Sequence, residues 1–163
     1  MIPTRSRQVD DLVGRADAIE FADPAFRAEL AHWIGQGVFG TSWLMSKLGQ
    51  LAVSHINLGK SQAKKDSEVL MSSPILGLIC SESDDRTTQI KVGQLYERLC
   101  LLAANESIWT QPMSQIVQVP EIKQELRTLI PIPTLTPQHP FRMGFAEPED
   151  RHTPRRPLQE MLV

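Results

Sequence analysis

The chain has 163 residues and a mass of 18.3 kDa, enough for one domain with a hydrophobic core. Apolar residues make up 41% and charged residues 22%, which is typical of globular proteins rather than disordered or fibrous ones. The formal net charge of −2 argues against a general nucleic-acid binder, because such proteins normally carry a strong basic excess.

The N-terminal residues contain no apolar segment of signal-peptide length. No stretch of the sequence approaches the roughly 20 apolar residues needed to span a bilayer. We therefore expect a cytoplasmic protein that does not enter the membrane. Its organisation is predicted as a lead segment over residues 1–22 followed by one domain over residues 23–163.

The first predicted helix begins after Asp23, a favourable N-cap, with Pro24 at the first helical position, where no amide donor is needed. Gly35 is expected to end it. Its apolar residues recur at helical spacing, namely Phe26, Leu30, Trp33 and Ile34.

A second helix is predicted after Gly40 from the apolar spacing of residues 43–52. The following "GKSQAKKD" lacks the upstream glycine and the preceding strand of a phosphate-binding loop. Its lysines, Lys60, Lys64 and Lys65, are therefore predicted to form the solvated face of a connecting helix.

The apolar run "SSPILGLICSES" predicts a strand that is buried on both faces. The segment "DDRTTQIKVGQLYERLCLLAANES" predicts a long amphipathic helix capped by Asp84 or Asp85. Cys80 and Cys100, one in each element, are interpreted as buried free thiols. No metal site is predicted, because the histidines are scattered and no ligand cluster has metal spacing.

The remaining segments are shorter and contain many prolines. "IWTQPMSQIVQ" is predicted to be partly extended, and "VPEIKQELRTLI" to be a helix with Ile122, Leu126 and Ile130 on one face. Four prolines in "PIPTLTPQHP" predict a loop, and the alternation in "FRMGFAEP" predicts a short strand. The whole pattern predicts an α+β or α/β domain with helices over a small sheet.

Six segments in a fixed order carry a resemblance to a known family: "SPILGLI", "QIKVGQLYERLCLLAANES", "QPMSQ", "VPEIKQELR", "PFRMGFA" and "TPRRPL". Over residues 23–158 the chain resembles the C-terminal part of the nitroreductase family of FMN-dependent oxidoreductases. It is most similar to the Acg-type branch, whose second half-domain ends in R-x-G-[YF]-A followed by P-R-R-P-L. The resemblance implies a three-layer α/β/α fold, with a small, mostly antiparallel sheet flanked by helices and incomplete at the N-terminus.

The resemblance also implies a cofactor site. Arg155 and Arg156 occupy the positions that bind the FMN phosphate in the family, a role that suits the forked guanidinium donors. Met113, Ser114 and Gln115 match the segment that runs beside the flavin ring. A solvated tail and an ordinary polar loop remain the alternatives for these two regions. Arg142 is interpreted as a member of a structural ion pair or as a cofactor contact.

The implied function is hydride transfer from NAD(P)H through FMN to a nitroaromatic or quinone-like acceptor. Family flavin sites lie at a dimer interface, so a homodimer or a partner half-domain is also implied. Helices carrying Trp33, Trp43 and Leu48 are expected to supply apolar surface for it. The family's N-terminal arginine-rich and Ser-x-Asn-x-Gln-Pro segments do not occur before Asp23. The alternative is therefore a non-catalytic module that sequesters flavin or binds a partner, as one half of a pseudo-dimeric protein.

Overall fold

The computed structural model describes residues 4–37, 43–55, 59–147 and 157–160. Within these ranges the elements in chain order are α1 Thr4–Ala22, α2 Pro24–Gly35, α3 Trp43–His55, α4 Gly59–Ser72, β1 Ile75–Ser81, α5 Arg86–Asn105, β2 Ile108–Pro112, α6 Gln115–Gln118, α7 Pro120–Thr128, β3 Thr136–Phe145 and a 3-10 helix, Leu158–Glu160. They form two compact units. The first contains α1, α4 to α7 and the strands, and the second contains α2, α3 and the 3-10 helix.

The three described strands form one open antiparallel sheet in the order β1-β3-β2. The coarse prediction of an α+β fold with helices and a small antiparallel sheet is therefore confirmed. Directly paired residues of antiparallel strands lie on the same face of a sheet. Gly77 pairs with Phe141 and Thr110 pairs with Met143, so these four residues share one face.

β1, an edge strand of this sheet, is only half-buried, which corrects the prediction that it is buried on both faces. Ile75 is 53% exposed and the residues that follow it in the strand are half-buried. A continuous apolar run of this length is typical of a central strand, but the sequence carries no signal for the number of neighbours that a strand has.

β3 begins at Thr136, so the prediction of a loop through the proline-rich segment is wrong for its last residues. The carbonyl of Pro140 accepts a hydrogen bond from the Met113 amide at 2.9 Å, just past the end of β2. The N–H that Pro140 lacks would point to the same side, where β2 has already ended. Pro137 lies where the β1–β3 register shifts, and such irregular positions tolerate proline.

One face of the sheet carries the hydrophobic core of the first unit. Leu76 and Leu78 on β1 pack against a buried cluster contributed by α1, α4 and the segment from Met113 to α7. The buried members of this cluster are Leu12, Val13, Ala16, Leu70, Met113, Ile116, Val119, Ile122 and Leu126.

Helix α1 supplies a wall of this core, although the sequence analysis predicted no element before Asp23. Helix α7 behaves as predicted for Ile122 and Leu126, which are both buried. It ends at Thr128, so Ile130, which was predicted for the same face, lies beyond the helix.

Helix α5 contacts the other face of the sheet. The Tyr96 ring lies 4.0 Å from the His139 ring and 5.3 Å from the Phe141 ring, measured between centroids. The Phe141 ring lies over its strand partner Gly77. A Cβ added at this glycine would be closer to the ring than van der Waals contact allows. Glycine is therefore required at position 77 for the aromatic ring to cover the sheet.

The caps of two helices match the predictions. Asp23 accepts a hydrogen bond from the Ala25 amide at 2.8 Å at the start of α2, and this helix ends at Gly35. Asp85 caps α5 by accepting from the Thr88 amide at 3.0 Å. Because an N-cap carboxylate satisfies an amide that the helix leaves unpaired, both starts could be located from sequence.

In the second unit, α3 begins at Trp43, as its apolar spacing predicted. Gly49 of α3 approaches Ile34 of α2, and a Cβ at this glycine would lie 3.1 Å from the Ile34 Cγ2 atom. Leu48, one of the residues expected to supply apolar surface for a partner, is 53% exposed.

Candidate functional site

The three residues predicted to run beside a flavin ring lie where β2 gives way to α6. Met113 follows Pro112, the last residue of β2, and its side chain is buried in the core cluster. Ser114 stands at the N-cap position of α6 and Gln115 is the first residue of the helix. The structure thus brings these residues together at a junction, with Met113 directed into the first unit.

The Ser114 side chain does not cap α6, although serine usually plays this role at the N-cap position. Its hydroxyl makes no cap hydrogen bond, while its carbonyl accepts from the amides of Val117 and Gln118 at 2.9 and 3.0 Å. The hydroxyl is therefore a donor and acceptor that α6 does not use.

Gln115 has a partner inside the protein. Its side chain hydrogen-bonds the buried carboxyl group of Asp17 on α1, and this bond acts to lower the pKa of that acid. The amide is thereby held in one orientation relative to α1. This contact was not foreseen, although the spacing of Leu12, Val13 and Ala16 would have placed Asp17 on the apolar face of a helix.

Met113 forms part of the wall of a cavity of about 630 Å³ in the first unit. The lining is largely apolar, with side chains from α1, α4, β1, β3 and the α6–α7 region. The large aliphatic residues of the lining include Leu70, Leu76, Leu78, Ile116 and Leu126. The volume lies within the range of roughly 300–1,000 Å³ that is usual for small-molecule sites.

Polar groups enter this cavity from three lining residues, Ser6, Ser73 and Cys80. Among the described residues that line it, none carries a charged side chain. Burial raises the pKa of the Cys80 thiol, which therefore stays protonated at neutral pH. The cavity consequently suits an uncharged, largely apolar group with a few hydrogen-bonding edges.

Arg142 lies next to this cavity through its bond to Ser73. Its guanidinium donates to the Ser73 Oγ at 3.1 Å and to the Gln111 Oε1 atom. Burial lowers the pKa of Arg142, and the negative charge of Asp66 acts in the opposite direction. Its hydrogen-bond partners are thus neutral oxygens, with a carboxylate nearby.

A smaller cavity of about 300 Å³ lies on the α5 side of the same unit. Its lining includes Tyr96, His139 and Lys123. The His139 Nε2 atom is buried and has no hydrogen-bond partner among the described residues, and burial lowers the pKa of this imidazole. Lys123 is held by Asp84 at 2.8 Å, so the charge of this lysine is already paired.

Close to this cavity, Thr110 joins α5 to β2. Its Oγ1 atom lies 3.1 Å from the Tyr96 hydroxyl, which donates to it, and 3.1 Å from the Cys100 Sγ atom. Cys80 and Cys100 are both free thiols, as predicted, and both are only half-buried.

Arg155 and Arg156, predicted to bind a phosphate, lie outside the described residues. The structure therefore gives no position for a phosphate clamp. Among the residues that it does describe, no group of three or more acidic, histidine or cysteine side chains is arranged to hold a metal ion.

The comparisons with known proteins found no counterpart. No family model matches the chain, and neither a curated protein nor a solved structure matches it. Among the helices in the described ranges, none combines the length and the apolar character needed to cross a bilayer. What the site can bind follows from its own side chains.

Proposed function

We propose that this chain is an FMN-binding oxidoreductase domain of the nitroreductase type. In this proposal Met113, Ser114 and Gln115 hold the flavin ring, and Arg155 and Arg156 hold its phosphate. The observation that carries the proposal is that Met113, which joins β2 to α6, lines an apolar cavity of about 630 Å³.

The lining of the cavity fits a flavin ring in polarity. The isoalloxazine ring is uncharged, planar and largely apolar, and the described lining of the cavity is uncharged as well. Ser114, the residue after Met113, does not itself line the cavity, and its hydroxyl, which α6 does not use, can donate or accept hydrogen bonds. When bound, FMN would supply the redox chemistry, taking hydride from NAD(P)H and passing electrons to a nitroaromatic or quinone-like acceptor.

The phosphate of FMN needs cationic donors that the described lining does not provide. Two arginines flanked by prolines are suited to this role, because guanidinium forks match phosphate oxygens and proline limits the entropy lost on ordering. This part of the proposal rests on the sequence resemblance.

The proposal includes a second copy of the chain or a partner half-domain. Helix α5 presents Leu95, Leu101 and Leu102 to solvent, and Phe145 at the end of β3 is 80% exposed. Large exposed apolar side chains on one unit are typical of surfaces that associate. Their exposure supports this part of the proposal.

The first experiment is the visible absorption spectrum of the purified protein after incubation with excess FMN and removal of the free flavin. We expect one bound flavin per chain. A protein that stays colourless at both low and high micromolar concentration would overturn the proposal that this chain, alone or as a homodimer, holds FMN.

A double variant, Arg155→Ala with Arg156→Ala, tests the phosphate clamp. We expect FMN binding to weaken at least about 30-fold, since each hydrogen bond to a charged group contributes roughly 1.5–3 kcal/mol. The matched control is Lys64→Ala with Lys65→Ala, which removes the same charge from exposed positions of α4. Equal affinities for the two double variants would remove the phosphate role.

Addition of NAD(P)H without oxygen separates turnover from storage. An oxidoreductase is expected to bleach its flavin absorption under these conditions. A yellow protein whose absorption stays unchanged with both nicotinamides would instead be the flavin-sequestering module.

A further inference from the structure

A carboxyl group is buried at the contact between α1 and α4. Asp17 is 3% exposed, and its neighbours on the helix, Val13 and Ala16, are 1% and 0% exposed. An ionised carboxylate at such a place loses its hydration, and burial without compensation favours the neutral acid.

A second carboxyl group faces Asp17 from α4. Both carboxylate oxygens of Asp66 accept a hydrogen bond from the side-chain amide of Gln62, at 3.0 Å each. The negative charge of Asp66 and its hydrogen bond to Asp17 both raise the pKa of Asp17. Two neighbouring carboxylates repel each other when both are ionised, which favours the neutral form of the buried Asp17.

One oxygen of this pair lacks a donor. The Asp17 Oδ2 atom is buried and accepts no hydrogen bond from any residue that the structure describes. A proton on Asp17 would remove the uncompensated charge from this buried group, because a protonated carboxyl is neutral and carries an O–H donor.

The surroundings of the pair contain few compensating charges. Glu20, one turn along α1, adds a further negative charge that raises the pKa of Asp17. Gln115 from α6 donates to Asp17, which acts in the opposite direction, and Arg142 from β3 lies within electrostatic reach of Asp66. Burial is the largest of these effects, and together they raise the pKa of Asp17 to about 7.

A metal ion is the other way to neutralise clustered carboxylates. The described residues contain no group of three or more potential ligands that could hold one. Two carboxyl groups with amide neighbours are better matched by a single proton.

We propose that the buried Asp17 carboxyl, which faces Asp66, holds a proton in the folded protein, and that loss of this proton weakens the packing of α1 on α4. Asp17 is therefore a proton-binding site that makes the first unit sensitive to pH. Its protonation does not depend on flavin binding, although its contact with Gln115 joins it to one of the candidate site residues.

The direction of the effect follows from proton linkage. The folded protein binds this proton up to a pH of about 7, whereas an aspartate in the unfolded chain releases it near pH 3.9. The stability that the pair contributes is fully present below pH 4 and is lost as the pH rises through 7. Within this window the folding equilibrium constant falls by at most tenfold per pH unit for one proton.

The test is urea unfolding of the wild type, Asp17→Asn and Asp66→Asn at pH 5, 6, 7 and 8. We expect the stability of the wild type to fall from pH 5 to pH 8. Asparagine mimics the neutral acid, so Asp17→Asn should show a smaller fall and should exceed the wild type at pH 8. The control is Asp11→Asn, an exposed position on the same helix, which should keep the slope of the wild type.

Carboxyl carbon NMR of the wild type provides a measurement that does not depend on whether a variant folds. We expect one aspartate resonance to titrate with a midpoint between about pH 6 and 8. The proposal is overturned if every aspartate resonance titrates below pH 5, or if Asp17→Asn retains the full slope of the wild type. Stabilisation of the wild type at pH 8 by millimolar Ca²⁺ or Mg²⁺, but not by NaCl at equal ionic strength, would also overturn the proposal. It would show that the site binds a cation.

Discussion

The two faces of the sheet are held by different kinds of interaction. On the face covered by α1, α4, α6 and α7, Ile116 and Ile122 are fully buried. On the face covered by α5, Leu101 and Leu102 of that helix are 67% and 72% exposed. Large aliphatic side chains are thus buried on one side of the sheet and exposed to water on the helix that covers the other side.

This difference shows where the stability of the first unit comes from. The core face is stabilised by apolar surface removed from water, which contributes about 25 cal/mol per Å². The α5 face relies more on specific contacts, namely the Asp85 cap, the ring contacts of Tyr96 and the Thr110 hydroxyl. We expect changes of equal size to have unequal effects on the two faces.

The largest difference is expected from one matched pair of leucines. Leu126→Ala on the core face should reduce the free energy of unfolding by about 2–5 kcal/mol, because it leaves a cavity. Leu102→Ala on α5 should change it by less than about 0.5 kcal/mol. Urea denaturation of both variants checks this, and equal losses would mean that α5 is covered in solution, for example by a second copy.

A pair of glycines tests the close packing of the α5 face. Gly77→Ala should cost about 1–3 kcal/mol, because the new methyl group collides with the Phe141 ring. Gly93→Ala is the control, since nothing lies within 4 Å of its Cβ position and alanine favours a helix. Thermal unfolding should show this second variant to be more stable by up to about 1 kcal/mol. A neutral Gly77→Ala would show that the ring moves freely.

A smaller effect is expected at Thr110, whose hydroxyl joins α5 to β2. Thr110→Val keeps the shape of the side chain but removes the oxygen that Tyr96 and Cys100 contact. The loss should be about 1 kcal/mol, the usual net value of a hydrogen bond. Thr87→Val on the exposed start of α5 serves as the comparison, and equal effects for the two variants would contradict a joining role for Thr110.

The smallest effect concerns pH, and its sign is opposite to that of the Asp17 pair. Burial lowers the pKa of His139, so the folded state binds a proton less readily than the unfolded chain. Stability contributed by the neutral imidazole is present above the unfolded value of about 6.5 and is lost as the pH falls through the lower folded pKa.

The His139 effect is best measured in the Asp17→Asn background, where the opposing slope is reduced. We expect His139→Gln to abolish the remaining loss of stability between about pH 6.5 and 5. Imidazole proton NMR of the same protein should give a pKa below 6.5. A normal or raised value would show that the ring reaches water in solution.

Much of the fold was predictable because local chemistry dictates it. Asp23 and Asp85 mark helix starts by capping free amides, and the spacing of Ile122 and Leu126 marks the buried side of α7. The β strand at "ILGLICS" also follows from its apolar run. These features depend on a few neighbouring residues, so one sequence suffices to find them.

The errors arose where distant partners decide the structure. Pro140 sits in a strand because β2 ends beside it, and no local pattern reveals where a neighbouring strand stops. The half-exposed state of Ile75 depends on β1 being at an edge. At the candidate site, the sequence drew attention to Met113 and Gln115 through the family resemblance. It did not suggest Asp17 or Asp66, which meet only when α1 and α4 pack together.

The prolines of β3 have a consequence for misfolding. A central strand that slides along its neighbours exchanges one set of hydrogen bonds for another, and slippage of this kind starts many aggregates. In β3 a shift of register that moved a carbonyl of a neighbouring strand opposite Pro137 or Pro140 would leave this carbonyl without a donor, since neither residue has an N–H. Such shifts are therefore disfavoured relative to the observed alignment.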